Sequence, residues 1–351
     1  MGKKVFKTYR QLLATLRSRG MIIEKGSQGS RVMRILEGEN YYNVINGYRD
    51  LFLATQATET VDETYRTGTT FDKVYSLFSF DREIRNIYLK FLLIVENRLK
   101  TVVAHEFSSK YGYDNYLKLD NFQCQAATDS NHLSYVAKRN NLELPADLVK
   151  VQQISAEGNT QSVIKLIGDI QQEIARQMGN HHQAVTHYMT RHGYIPLWVL
   201  VNVLTFGKIT YFYLNMKPAD KSVIAKQFNV APDELHKIME MLGLARNKCA
   251  HDERFFDITF RRRLHTKSIK GFDNLEIIRA RDGSYTYGTN DAYAIAIIFA
   301  LLLSKSELNE FIKLMKAAFG KLQKQLHTIP IDAVMKRMGF GPMWTNITFL
   351  K

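Results

Sequence analysis

The longest helical pattern in the chain lies at residues 71–111, FDKVYSLFSFDREIRNIYLKFLLIVENRLKTVVAHEFSSKY. After Asp81, apolar residues recur every three or four positions, which is the spacing of one buried face of a helix. These residues are Ile84, Ile87, Phe91, Ile94, Val95, Leu99 and Val102. The pattern predicts one long amphipathic helix from Phe71 to Tyr111, either continuous or broken near Ser79–Phe80.

Two side chains in this helix depart from the apolar pattern. At 100° per residue, Arg98 and His105 fall in the middle of the apolar stripe. A charged group on such a face needs a partner or a cavity. One interpretation pairs Arg98 with an acid from a neighbouring helix; the other makes the helix line an active cleft. We expect both side chains in a bonded network within the core or beside the candidate catalytic pair described below.

The rest of the chain also favours helices. Six prolines in 351 residues and the lack of a Gly/Ser-rich linker suggest a continuous helical body. Further helices are predicted at 8–16, 31–37, 162–178, from Ala231 onward, at 292–303 and at 307–326. Alternation of apolar and polar residues from Leu275 to Tyr287, around Asp282-Gly283, predicts a small β-hairpin. The expected fold class is all-α, with this hairpin in a C-terminal helical extension.

The charge of the chain is its outlying compositional feature. Lys and Arg number 48 against 34 acids, a net charge of +14, which favours a polyanionic partner such as nucleic acid or an anionic membrane. Residues 1–40 carry a surplus of six positive charges, and residues 254–281 a surplus of five. The predicted polyanion contacts in these segments include Lys3, Lys4, Lys7, Arg10, Arg261, Arg262 and Arg263.

Several classes of protein are disfavoured. Two cysteines do not form a disulfide scaffold or a cysteine-rich zinc module. The most apolar runs, 195–207 and 292–303, are shorter than the roughly 20 residues of a membrane helix, and no secretory signal is recognisable. A reducing cytoplasm is the expected location. We interpret His181, His182, His187 and His192 as parts of a solvated loop, and we expect no metal and no cofactor.

The segment Arg246-Asn-Lys-Cys-Ala-His-Asp-Glu-Arg254 carries the candidate chemistry. Histidine is suited to proton transfer near neutral pH, and arginine can clamp a phosphate and neutralise developing charge. Cleavage of RNA by its own 2′-hydroxyl needs these two functions. On an ideal helix Arg246 and His251 point about 140° apart, so they converge if Arg246 reaches around, if the helix frays, or if a second copy completes the site. A helix end favoured by cationic side chains is the structural alternative.

Arg246-Asn247-x-x-x-His251 resembles the Arg-x4–6-His motif of the HEPN ribonuclease superfamily. Further sequence blocks occur in an order that resembles the abortive infection (Abi) family, close to its AbiD/AbiF branch. These blocks are residues 40–48, 80–85 with Val95-Glu96, 196–198 with Phe206-Gly207, 246–254 and 339–344.

This resemblance implies a HEPN-like helical core at 71–257, a basic N-terminal region at 1–70 that contacts RNA, and a C-terminal region at 258–351. It implies a homodimer and a metal-independent endoribonuclease in phage defence or a toxin–antitoxin system, restrained by a structured noncoding RNA. His251 would be the general base or acid, Arg246 would stabilise the pentavalent phosphate, and Asn247 would orient it. Lys248 and Arg254 would contact phosphates. The expected products are a 2′,3′-cyclic phosphate and a 5′-hydroxyl.

Two other functions remain as alternatives. In the first, the protein is a non-catalytic module whose basic segments hold a structured RNA. In the second, it binds an anionic membrane, which is disfavoured because no strongly amphipathic basic helix with exposed bulky apolar residues stands out.

Overall fold

The computed structural model describes residues 5–58, 61–127 and 129–351, and it is mostly helical. This confirms the predicted all-α class. Lys3 and Lys4, two of the predicted polyanion contacts, lie outside the described residues.

The α-helices are α1 Tyr9–Ser18, α2 Ser27–Gly38, α3 Phe71–Tyr111, α4 Ser130–Arg139, α5 Leu148–Gly179, α6 Gln183–His192, α7 Leu197–Leu200, α8 Phe206–Asn215, α9 Pro218–Lys226, α10 Pro232–Ala250, α11 Ala292–Leu302, α12 Lys305–Gln325 and α13 Ile331–Arg337.

The chain forms two compact units, each assembled from separate stretches of sequence. Unit 1 comprises residues 1–91, 245–261 and 273–351, and unit 2 comprises residues 92–244 and 262–272. The division therefore follows packing rather than chain order. Among the described helices, none is both long enough and apolar enough to cross a lipid bilayer.

The core of unit 1 surrounds α11, which is apolar on every side and almost completely buried. A helix of this kind needs neighbours all round it. Four aromatic rings supply much of that packing. The ring centroid of Phe299, on α11, lies 5.7 Å from that of Tyr88, 6.1 Å from that of Phe91 and 5.1 Å from that of Phe311. The Tyr88 hydroxyl donates to the carbonyl of Ala292 at 2.9 Å, so the ring is also fixed at its polar end.

The strands of the described structure lie near the N-terminus. β1 (Leu53–Thr55) pairs antiparallel with β2 (Thr64–Tyr65) in unit 1. Within 275–287 the chain does turn back at Asp282-Gly283, but it makes one antiparallel bridge, Arg279 to Tyr285, and no strands. The predicted hairpin is thus reduced to a bridged turn. Glu276, in a left-handed conformation at φ 53°, interrupts the extended backbone that a longer hairpin would need.

Helix α3 is continuous from Phe71 to Tyr111, without a break at Ser79–Phe80. The apolar stripe is buried as predicted at Ile84, Phe91, Val95 and Leu99. His105 does not lie in the core: its side chain is 75% exposed, and its imidazole contacts Glu106. The alternative, a position beside the candidate catalytic pair, stays a prediction. Arg98 is half buried.

Unit 2 is built on the later part of α3, on α4 to α9 and on most of α10. The rings of Phe107, Phe122 and Phe212 form its aromatic centre, with centroids 5.0–5.2 Å apart. Helix α8 packs against α5. Next to that contact, the buried carboxylate of Glu173 accepts hydrogen bonds from Arg176, from Gln177 at 2.9 Å and from Lys208 at 2.9 Å.

Hydrogen bonding by Arg176, Gln177 and Lys208 lowers the pKa of Glu173 from 4.5 to about 2, against the opposing effect of burial. A carboxylate whose pKa is lower in the folded protein than in the unfolded chain stabilises the fold at pH values above its pKa in the unfolded chain. That stabilisation is lost as the pH falls toward the pKa of the group in the folded protein. Glu173→Gln is therefore expected to lower the free energy of unfolding by about 2 kcal/mol at pH 7. The difference from the wild type should shrink between pH 4.5 and pH 2.

Urea unfolding followed by circular dichroism at several pH values measures this difference. Glu157→Gln is the matched control, because Glu157 lies on the same helix but is exposed. A difference for Glu173→Gln that does not change with pH would contradict the assignment of a low pKa.

Candidate active site

The Arg-x4-His element lies at the C-terminal end of α10. The amide of His251 still donates to the carbonyl of Asn247 at 3.0 Å, so the helical pattern extends to the histidine. Asp252 then takes a left-handed conformation at φ 57°, and the amide of Glu253 reaches back to the carbonyl of Lys248 at 3.2 Å. This is the hydrogen-bond pattern of a Schellman helix end, with Asp in the place that Gly usually occupies.

The chain after this helix end is held by a buried carboxylate of α3. Asp81 is completely buried and accepts hydrogen bonds from the amide of Phe256 at 2.6 Å and from the amide of Phe255 at 3.2 Å. The Tyr48 hydroxyl donates to the same carboxylate at 2.5 Å. Three donors from two distant parts of the sequence therefore converge on one side chain.

Arg85, one turn further along α3, joins this carboxylate to the helix end. Its guanidinium is 2% exposed and lies 3.6 Å from Asp81 and 2.6 Å from Asp252. Arg82 lies 3.7 Å from Asp252 and pairs in bidentate fashion with Glu39 at 2.7 and 2.8 Å. The backbone next to His251 is thus anchored by ion pairs to α3.

Burial raises the pKa of two groups here. It raises the pKa of Asp81 to about 6, although Tyr48, Arg85 and the two backbone amides favour the carboxylate form. It also raises the pKa of Cys249 to about 12. The thiol therefore stays protonated at neutral pH, which makes it a poor nucleophile. Of the side chains near this helix end, the imidazole is the better candidate for proton transfer.

Two of the predicted catalytic residues lie in the last two turns of α10, and the third, His251, directly follows the helix. Arg246 is half buried, and its guanidinium lies 3.5 Å from the Asn247 side-chain oxygen. Asn247 and His251 are exposed. Lys248, a predicted phosphate contact, is half buried and pairs with Glu253. The helix places an amide, a guanidinium and an imidazole at one end, with the imidazole open to solvent.

Arg254 occupies a structural position. Its guanidinium pairs with Asp257, donates to the carbonyl of Gly47, and lies over the rings of Tyr48 and Phe256 at 5.9 and 5.0 Å. These contacts tie the post-helix segment to the N-terminal part of unit 1. The predicted role of Arg254 in RNA contact is untested, but its charge is largely engaged within the protein.

The other predicted RNA contacts differ in how they are placed. Lys7 and Arg10 are exposed near the N-terminus, where Lys7 donates to Thr15 at 2.9 Å. Arg261, Arg262 and Arg263 are exposed, and Arg262 pairs with Glu240 at 2.9 Å. Three other arginines in the basic N-terminal segment are internally bonded: Arg17 to backbone carbonyls, Arg19 to Glu63 and Arg31 to Asp72.

The histidine-rich stretch of unit 2 spans the start and the body of α6. His182 caps the helix, and the rings of His187 and His192 have centroids 6.0 Å apart. In the described parts of the chain, no group of three or more His, Cys, Asp or Glu side chains is arranged to hold a metal ion.

Sequence reasoning missed the anchoring role of Tyr48, Asp81, Arg85 and Asp252. The available signal was the pair Asp81 and Arg85, four residues apart on a helix whose neighbouring positions are apolar. Polar residues at such positions need buried partners, but the identity of the partners depends on tertiary contacts.

Asp81→Asn should destabilise the protein by about 3 kcal/mol, because it leaves Arg85 buried with one acidic partner fewer and weakens the bonds to two backbone amides. Urea unfolding at pH 7 measures the loss. The control is Asp120→Asn, at an exposed carboxylate, which should change the free energy of unfolding by less than about 0.5 kcal/mol. Equal effects of the two substitutions would show that the buried carboxylate is not an anchor.

No curated protein and no solved structure matches the chain. A family model described as "Abi-like protein" matches residues 34–257, which is more than half of the chain. The match includes Tyr48, Asp81, Arg85 and the Arg246–His251 element. The chain belongs to the Abi-like family, which associates it with abortive infection, a form of defence against bacteriophage.

Proposed function

We propose that this protein is a metal-independent endoribonuclease of the HEPN type that acts in the bacterial cytoplasm during abortive infection. Two observations support the proposal. The chain belongs to the Abi-like family, and an Arg-x4-His element lies inside the matched region. The single observation that carries it is the combination of an exposed His251 with a neighbouring backbone anchored by the ion pair of Asp252 and Arg85.

The anchoring acts on both sides of the imidazole. Cys249, two residues before His251, is 7% exposed, and Asp252, which follows it, is paired with Arg85 at 2.6 Å. The side chain between them is free of the core and accessible to a large substrate. A backbone held in this way needs no reordering when RNA binds, which favours positioned acid–base catalysis by the side chain that it carries.

The proposed chemistry is transesterification within the RNA backbone. The 2′-oxygen attacks the adjacent phosphorus while its proton is taken up by a base, and the bond from phosphorus to the 5′-oxygen breaks as that oxygen gains a proton. His251 serves one of these proton transfers. Arg246 neutralises the charge on the non-bridging oxygens of the pentavalent phosphate, and the amide of Asn247 orients them. The products are a 2′,3′-cyclic phosphate and a 5′-hydroxyl.

A homodimer is part of this proposal. On one helix Arg246 and His251 project about 140° apart. In the dimer, the helix ends of two chains face each other, so that the second copy supplies groups on the opposite side of the scissile phosphate. Acid and base roles can then be divided between the two copies of His251.

The partner that restrains the enzyme is a structured noncoding RNA in this proposal. Exposed cations suited to phosphate contact lie at Lys7 and Arg10, and at Arg261 in the basic segment after the motif. These side chains are separate in sequence from Arg246 and His251. Loss of RNA affinity and loss of cleavage can therefore be produced by different substitutions.

The catalytic role of His251 is tested by His251→Ala. Cleavage of a labelled RNA is expected to slow by about 100-fold to 10,000-fold, because a general acid–base group is removed. Arg246→Ala should slow it by about 100-fold or more through loss of charge stabilisation. Both measurements are made in EDTA, and the product ends are identified by their resistance or susceptibility to phosphatase and polynucleotide kinase.

The control is His327→Ala, which removes another exposed histidine of unit 1 and should leave cleavage unchanged. Loss of wild-type cleavage in EDTA would contradict the metal-independent mechanism. If His251→Ala retained wild-type growth inhibition and phage resistance, the non-catalytic RNA-binding function would replace the nuclease.

The double substitution Lys7→Gln with Arg10→Gln tests RNA holding. If both side chains contact phosphates, the slope of log K against log salt should become shallower by about 1–2, with equal weakening across RNA sequences. Filter binding at several salt concentrations measures the slope, using His251→Ala protein so that the RNA stays intact. Arg31→Gln is the control because that cation is paired with Asp72, and its slope should match the parent. An unchanged slope in the double variant would remove the N-terminal segment from the RNA contact surface.

A further inference from the structure

Unit 2 contains a pocket that the proposed catalytic chemistry does not use. It has a volume of about 390 Å³, near the lower end of the range for small-ligand sites. One wall is a face of α3 that includes Thr101 and His105. The opposite wall is α7 and the turn that follows it, including Trp198 and Asn202.

Trp198 presents an open aromatic surface in this pocket. Its side chain is 52% exposed, whereas Trp344, the other tryptophan of the chain, is 6% exposed and packs within unit 1. An exposed indole face in a concave site offers a platform on which a planar ring can stack.

Two polar groups stand at the edges of the same pocket. The side-chain nitrogen of Asn202 donates to the carbonyls of Trp198 and Val199, both at 3.2 Å, which leaves its oxygen available as an acceptor. His105 Nδ1 contacts Glu106 at 3.2 Å, which leaves Nε2 for another partner. The pocket therefore combines a stacking face with groups that can hydrogen-bond the edge of a ring.

The charge of the lining narrows the class of ligand. None of its eight described residues is Lys, Arg, Asp or Glu, although the chain as a whole carries a net charge of +14. A phosphate or a carboxylate would need a cation in the pocket. A neutral planar group fits this lining better than an anionic group does. When that planar group is part of a polyanion, the positive charge of the rest of the protein attracts the whole molecule.

We propose that this pocket binds an unpaired RNA base, which stacks on Trp198 and directs its edge toward Asn202 and His105. The inference rests on the proposed function in that RNA is the ligand, but it does not depend on cleavage. The inference assigns to unit 2 a preference for single-stranded segments. In a duplex the faces of a base are stacked on its neighbours and its pairing edge is occupied by the partner base.

The two tryptophans make the test direct. In Trp344→Phe protein, made in the His251→Ala background, Trp198 is the remaining tryptophan and is excited selectively over the tyrosines at the red edge of the absorption band. Its emission should be quenched by the single-stranded dodecamer rU12 and not by a blunt duplex of rU12 with rA12. In the matching Trp198→Phe protein, Trp344 reports from outside the pocket, and neither RNA should quench it.

Affinity provides a second readout. Trp198→Ala should weaken binding of rU12 by about fivefold to hundredfold and leave the affinity for the duplex unchanged. Trp198→Phe should restore most of the affinity, because it keeps an aromatic face. The slope of log K against log salt should stay at the parent value in both variants, since no phosphate contact is removed. Tyr135→Ala is the matched control, at another exposed aromatic of unit 2, and should bind like the parent.

The failure of this inference is distinct from failure of the proposed function. Wild-type affinity of Trp198→Ala for rU12, with unquenched Trp198 emission, would overturn the base pocket, whatever the cleavage assays show. Equal losses for rU12 and for the duplex would also overturn it, because they would indicate a general structural defect. Absence of RNA cleavage by the wild type would overturn the nuclease and leave the pocket standing if rU12 still quenches Trp198.

Discussion

The structure around the candidate site depends on one buried carboxylate. An ionised group removed from water is costly unless donors and an opposite charge compensate it. Asp81 accepts hydrogen bonds from a hydroxyl and two backbone amides, and the guanidinium of Arg85 forms an ion pair with it at 3.6 Å. These partners come from Tyr48, Arg85 and the segment that follows α10. Because they are far apart in sequence, the helix end that carries His251 can adopt its position only when unit 1 is folded. The stability of unit 1 and the geometry of the candidate site are therefore linked through the same side chain.

Many of the cations that give the chain its charge of +14 serve the fold. Arg85 is buried between two acids, Arg254 is bonded to Asp257 and a backbone carbonyl, and Arg19 is bonded to Glu63. Net charge describes the long-range field that attracts a polyanion. It does not identify the side chains that contact it, because an arginine engaged with an internal acid offers fewer donors to a phosphate. The set of cations open to a polyanion is therefore smaller than the composition suggests.

The helical fold was predictable because its main signal is local. The apolar spacing in α3 and the apolar run of α11 depend on neighbours three or four residues away. The placement of His105 in the core failed because a helical wheel gives a direction but not the extent of the packed face. The role of Asp252 was not predicted for another reason. Its left-handed backbone and its salt bridge to Arg85 both depend on contacts across the fold. The motif itself was found from sequence, but its anchoring was not.

Position 252 illustrates how few residue types such a helix end tolerates. Gly would suit the backbone and remove the partner of Arg85, while Asn would keep the shape and lose the charge. Glu would keep the charge but tolerates the left-handed region poorly. Asp is the residue that meets both demands at once. The residue that follows the candidate His251 is thus restricted by the fold alone, through its backbone conformation and through its pairing with Arg85.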